Sequence, residues 1–142
     1  MKGSKDILSS ALKTAQMGQV GIRCAMQYPL DAELHAELCS QLEEYNAIEH
    51  RAHALAFSRG WTLEELNPAL KSMAILSARM RLRSGNTSSK TAAMVIRGNT
   101  AGMIKSLKNL HQYPRTDQGV TALAETLLNR EKENIIEMQD FV

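Results

Sequence analysis

The sequence predicts an all-α fold, and three observations carry that expectation. Only six of its 142 residues are aromatic, so the core has to be assembled from Leu, Ile, Ala and eight Met, which suit helices better than a sandwich. No segment alternates apolar and polar residues with period two for long enough to form a strand. Pro, Gly and Asx residues fall where helices start and stop.

The first helix is expected over about residues 4–28, with Leu8, Ala11, Leu12, Ala15, Ile22 and Met26 on one face and a stop before Pro29. Asp31 is the expected cap of the second, with Glu33 in its first turn, and Gly60 ends it after about 29 residues. At ~1.5 Å per residue that helix is about 40 Å long. Thr62 and Glu65 read as a capping box opening a short turn. Asn67 and Pro68 start a shorter helix that runs to about Arg83 and stops at Gly85. Ser84–Lys90 reads as a loop in which Thr87 or Ser88 caps the next helix. Its glycine and lysine lack the GxxxxGK[ST] spacing of a phosphate loop. A long helix follows from about Ser88 to Gln112, with Ile96, Met103, Leu107 and Leu110 on its expected buried side. Pro114 breaks it, Asp117 caps again, and the last helix reaches about Phe141.

Two very short connections make antiparallel hairpins of the long helices, and the stretch over about 60–87, with its short helix, is long enough to cross between them. The expected architecture is therefore a single domain over 1–142: an up-down, crossover, up-down four-helix bundle with an extra short helix in the crossover. No apolar run reaches the ~18 residues of a membrane span, and no signal-peptide core follows Met1–Lys5. The expectation is a cytoplasmic protein without a membrane partner. Cys24 and Cys39 show no metal-ligand spacing and read as free thiols.

The net charge of +2 conceals a sharp division. No Asp or Glu lies between Glu65 and Asp117, whereas Lys71, Arg79, Arg81, Arg83, Lys90, Arg97, Lys105, Lys108 and Arg115 do. Such a segment can meet an anionic partner. It can also lie against acidic helices of the same chain or of a second copy, and this is the favoured reading. The absence of any Phe, Trp or Tyr between Trp61 and Tyr113 removes a base-stacking platform and weakens the nucleic-acid reading.

Several polar residues occupy positions where apolar ones belong. On the last helix Glu131 and Asn134 fall within the arc of Val120, Leu123, Leu127, Met138 and Phe141, so both are expected to be buried. Gln19 sits between Ala15 and Ile22, and Asn99 between Val95 and Met103. On the second helix Asn46 borders the face of Leu38, Leu42 and Tyr45; Glu43 lies farther round, and Glu49, His35 and His53 lie nearer its centre. Residues equidistant from a hairpin turn are level with each other. Gln19 with Glu43, and Asn99 with Glu131, are therefore expected at matching heights.

This arrangement resembles the ferritin-like and rubrerythrin-like superfamily, closest to small bacterial families of unassigned function. That resemblance implies a di-iron site with one Glu from each of two helices and a Glu-x-x-His from each of the other two. Here Gln19 and Asn99 stand in the two single-Glu places, and Glu43 with Asn46 and Glu131 with Asn134 stand in the two Glu-x-x-His places. Two carboxylates and four amides are a poor donor set for paired iron, so the implied site is degenerate and no cofactor is expected. The residues then form a buried hydrogen-bond network of Gln19, Asn46, Asn99 and Asn134 around Glu43 and Glu131. Burial is expected to raise the pKa of Glu131 if no partner is near.

The expected function is non-catalytic: a bundle acting as a homo-oligomer or through a protein partner. One alternative is binding of iron, manganese or zinc through Glu43 and Glu131, with Glu49 and His53 (i, i+4) as a further edge. Another is an anionic partner such as nucleic acid on the 71–115 segment. His50 and His111 carry no stronger signal, and neither G-x-S-x-G nor a Cys with an obvious His partner suggests nucleophilic catalysis.

Overall fold

The computed structural model describes residues 2–112 and 117–142, Lys2 by its backbone alone, and among these every regular element is helical. α1 spans Lys2–Ala25, α2 Ala32–Arg59, α3 Pro68–Leu82, α4 Thr87–Gln112 and α5 Gln118–Met138, which a 3-10 turn over Gln139–Phe141 completes. Among the described residues no helix is long and apolar enough to cross a membrane.

α1 packs along α2 and α4 along α5; α1 also meets α4, and α2 meets α5. Their shared interior holds Leu8 and Leu12 of α1, Leu34 and Leu38 of α2, and Leu123 and Leu127 of α5, each almost wholly shielded from water. Burying each such side chain contributes roughly 1.5–3 kcal/mol. α3 buries Ala78 and Leu82 outside this central cluster and rests against α1, with a lighter contact to α4.

Several expected helix ends are observed. Gly60 adopts the left-handed conformation (φ 69°) that closes α2, and the Trp61 N–H returns to the Ala56 carbonyl at 2.9 Å. Asn67 accepts from Ala69 N at the start of α3, and Asp117 accepts from Gly119 N and Val120 N at the start of α5. Asp117 also takes the Arg59 guanidinium at 2.6 Å, which ties the end of α2 to the head of α5. That hydrogen bond, with those of the helix N-terminus, holds the Asp117 carboxyl down to about 2.

Other ends differ. α1 stops at Ala25, because Pro29 drives the preceding backbone out of the helical region and the last turn tightens. Gln27 and Tyr28 bond back three residues, to Cys24 and Ala25. Asp31 occupies the N-cap of α2 but its side chain makes no capping bond; its N–H donates to Ser88 Oγ at 3.0 Å. Thr87 and Ser88 therefore do not cap α4 in the way expected. The Thr87 hydroxyl donates to the Pro29 carbonyl, and Asn86 (φ 51°) supplies the carbonyl that receives Lys90 N. Thr62–Glu65 opens no turn: its residues bind the side chains of α1, with Glu64 N on Ser9 Oγ, Leu66 N on Gln16 Oε1 and the Glu64 carboxylate on Lys13. Pro114, read as a helix breaker, and Arg115 lie outside the described residues.

The inner face of α4 is shifted from the expected one, although Ile96 and Leu110 still pack against the core. Ile96, Met103, Leu107 and Leu110 are only half-buried, and the interior positions belong to Thr91, Ala92, Val95, Asn99, Gly102 and Ser106. On α2 the buried line runs Leu34, Leu38, Gln41, Tyr45, Ile48, Ala52 and Ala56. At ~100° per residue that line leaves Glu43 and Asn46 facing solvent. Cys24 is buried, Cys39 half-buried, and both are free thiols.

Candidate functional site

The polar interior centres on Glu131, which is wholly buried on α5. One carboxyl oxygen, Oε1, accepts from Ser106 Oγ at 3.4 Å, and the other, Oε2, has no partner. Gly102 makes room for it: a methyl group there would overlap Oε2 and lie 2.9 Å from Cδ. Burial raises the Glu131 pKa to about 8 against the small opposing effect of Ser106. At neutral pH the side chain is therefore the neutral acid, with an O–H to donate.

Tyr45 of α2 reaches the same point. Its hydroxyl donates to Asn99 Oδ1 at 2.6 Å, while Asn99 Nδ2 donates to the Val95 carbonyl at 2.9 Å. Burial and the neighbouring Glu131 raise the phenol pKa, so the ring stays a neutral donor. Gly18 of α1 leaves the space that the Tyr45 ring fills; a methyl group there would sit 2.6 Å from Cε2. Asn134 lies one turn beyond Glu131 and is buried beside the Tyr45 hydroxyl. Gln41 is also wholly buried: Nε2 reaches Glu37 at 3.3 Å and Oε1 has no partner.

The expected network is thus divided. Asn99, Glu131 and Asn134 are inside and clustered with Tyr45, but Asn46 and Glu43 are exposed because α2 is rotated away from the expected phase. Gln19 is buried in a different cluster, donating to Glu49 Oε1 at 2.9 Å beside Gln16, which donates to Glu49 Oε2 at 3.0 Å. His53, exposed, stands 3.9 Å from Glu49 and 3.5 Å from Glu65. Burial tends to raise the Glu49 pKa, but the two amides with His53 and His50 outweigh it and lower the net value.

This geometry sets the donor set available to a metal. The structure does not bring Glu43, Glu131, Glu49 and His53 together, and among the described residues no three His, Cys, Asp or Glu side chains are grouped to hold an ion. Glu131 meets a phenol, amides and a hydroxyl rather than a second carboxylate or an imidazole. These residues do not fit the paired-iron centre that the resemblance implies.

The residues missed by sequence reasoning are Gln41, the Tyr45 hydroxyl, Ser106 and Gly102. Gln41 had a signal, because it continues the line from Leu38 to Tyr45 and Ile48. Gly98 and Gly102, one turn apart around Asn99 in a helix, were the signal on α4.

On the outer side of Glu131, Asn99 and Tyr45 a cleft of about 610 Å³ opens between α1, α3 and α4. On the far side of the bundle, Glu37 and Glu44 of α2 face Glu133 and Glu137 of α5. A hydrogen bond shared with Glu37, then burial and the nearby carboxylates, raises the Glu137 pKa to about 7. Arg130, 3.6 Å from Glu44 and 2.9 Å from Glu133, only partly offsets that crowding.

No family model matches the chain, and no curated protein or solved structure matches it.

Proposed function

We propose that this chain is a non-catalytic, ferritin-like helical bundle that works through its surface, assembling with further copies of itself through faces of opposite charge. The observation that carries the reading is the state of the basic segment. Lys71, Arg79, Arg81, Arg83, Lys90, Arg97, Lys105 and Lys108 form no ion pair among the described residues. The acidic helices of the same chain do not pair with these cations among the described residues, which leaves them available to charge from outside. Beside these cations α3 exposes Leu70, Met73, Leu76 and Met80, each more than half accessible and spaced as one helical stripe. Large apolar side chains grouped in this way mark interaction surfaces.

The crowded carboxylates of α2 and α5 supply the complementary face. Joining the two faces is a head-to-tail contact, which closes a ring or continues as a chain of copies. The ferritin-like part of the reading is supported by long helices in two packed pairs, with Asn99, Glu131 and Asn134 turned inward where a metal site would lie. Nucleic acid is the weaker acidic partner, since the basic segment carries no aromatic side chain between Trp61 and Tyr113.

Light scattering tests this. At low salt the mass should exceed 15.7 kDa and should fall toward the single chain as salt rises. The pair Glu133→Lys and Glu137→Lys, or Met73→Glu alone, should give the single-chain mass without added salt. A single-chain mass for the unaltered protein at every salt concentration overturns the proposal.

A further inference from the structure

We propose that the cleft between α1, α3 and α4 binds a small amphipathic organic anion: an acidic headgroup at the lip, an apolar body, and a hydrogen-bond-accepting oxygen at the inner end. This goes beyond the assembly reading and does not need it: Leu70, Arg81, Arg97 and Lys105 belong to both surfaces, but Met73, Leu76 and Met80 do not line the cleft.

The volume, about 610 Å³, lies in the range that small-molecule sites occupy. The walls are largely apolar, from Met17 and Ile22 of α1, Leu70 and Ala74 of α3, and Met94 and Val95 of α4. Gly21 and Gly98 face open space, with no atom within 4 Å of where a Cβ would stand. The backbone of two helices is thereby left accessible to a flat or narrow body.

Charge sets the orientation. Arg81, Arg97 and Lys105 line the cleft, are exposed, and have no acidic partner among the described residues, while Lys13 is engaged by Glu64 at 2.7 Å. Glu131 is the sole carboxylate of the lining, and it sits at the floor rather than the lip. A cationic ligand would meet guanidinium and ammonium groups at the entrance, whereas an anion is drawn to them.

The floor provides the second, independent indication. Glu131 is wholly buried yet belongs to the lining, Oε2 has no partner among the described residues, and that oxygen occupies the space a side chain at Gly102 would fill. A buried donor without a partner costs ~1–3 kcal/mol. The neighbouring Tyr45 hydroxyl is already committed to Asn99. The open valence at the floor is therefore the O–H of the Glu131 acid, and its complement is an oxygen acceptor.

Calorimetric titration of the full chain with decanoate, ω-hydroxydecanoate and decanediol tests the proposal. ω-Hydroxydecanoate should bind saturably with one site per chain, about fivefold more tightly than decanoate, the worth of one hydrogen bond. Arg97→Glu with Lys105→Glu should weaken both acids and leave decanediol unchanged. Glu131→Leu should make the two acids equal. Gly98→Leu should fill the open space, abolish binding, and retain the helical circular dichroism of the parent with a thermal midpoint no lower. Met73→Glu should bind as the parent does, which separates failure of assembly from failure of the cleft. Absence of saturable binding, equal affinity of both acids for the unaltered chain, or parental binding by Gly98→Leu each overturns the proposal.

Discussion

α4 and α5 lie side by side and face one interior, yet they fill it in opposite ways. α5 inserts Leu123, Leu127, Leu128 and Met138, interrupted by Glu131 and Asn134. α4 inserts Thr91, Ala92, Val95, Asn99, Gly102 and Ser106, and sends Ile96, Met103, Leu107 and Leu110 to its flanks. One helix supplies volume and the other supplies room. Because α4 withholds side chains, the Glu131 carboxyl can lie against its backbone at Gly102 and the Tyr45 hydroxyl can reach Asn99. The same restraint leaves the cleft on its outer side.

The contrast can be broken most sharply by truncation. Leu127→Ala in α5 should cost about 3 kcal/mol of stability by urea unfolding, through lost transfer energy and the cavity left behind. The same truncation at Met103 of α4 should cost less, about 1–2 kcal/mol, since that side chain is only partly shielded from water. Equal losses at the two sites would show that α4 buries its flank after all.

Two alanine substitutions on α4 sharpen it next. Gly102→Ala should destabilise by about 2 kcal/mol despite the better helix propensity of alanine, because the new methyl overlaps Glu131 Oε2. One turn earlier, Gly98→Ala meets nothing within 4 Å and should stabilise the chain by ~0.5–1 kcal/mol. Opposite signs at neighbouring glycines of one helix are the signature expected of a face that is tight inward and open outward.

The smallest effect is read through pH. In the folded chain Glu131 titrates at about 8, against an ordinary 4.5 once unfolded. Between those values the folded state holds a proton that the unfolded state releases, so stability declines as pH rises and levels off above about 8. The slope from this one group is ~1.4 kcal/mol per pH unit at most. Glu137, raised to about 7 by its bond to Glu37, adds to the decline in the same direction. Glu131→Gln should therefore flatten the unfolding profile between pH 5 and 8 without abolishing its slope, as followed by circular dichroism. An unchanged profile would mean that Glu131 is ionised and paired.

These differences also explain what could be read from the residues alone. α5 was legible because its large apolar groups do point inward, so the burial of Glu131 and Asn134 followed from their position in that arc. α4 was not, since periodicity places the largest side chains inside and this interior is built from the smallest. On α2 the stripes of Leu38–Leu42–Tyr45 and Leu38–Gln41–Tyr45 differ by one position. Only packing decides between them, and the choice exposes Glu43 and Asn46 while burying Gln41. Local capping chemistry was readable at Asn67 and Asp117, where the acceptor needs only its own helix. It failed at Asp31, Thr87 and Ser88, because the Asp31 N–H donates to Ser88 and the Thr87 hydroxyl to the Pro29 carbonyl across two loops.

The placement of α3 outside the core has a consequence for how the molecule breathes. Glu64 and Leu66 donate their amides to Ser9 and Gln16 side chains rather than to neighbouring backbone, and none of the residues of α3 interlocks with the central leucines. Detaching that helix exposes Ala78 and Leu82 and breaks a few peripheral bonds but leaves the central cluster of the four long helices intact, so it is a partial opening cheaper than global unfolding. The outer wall of the cleft is then the side of the molecule whose amides should exchange with solvent ahead of those in the four long helices.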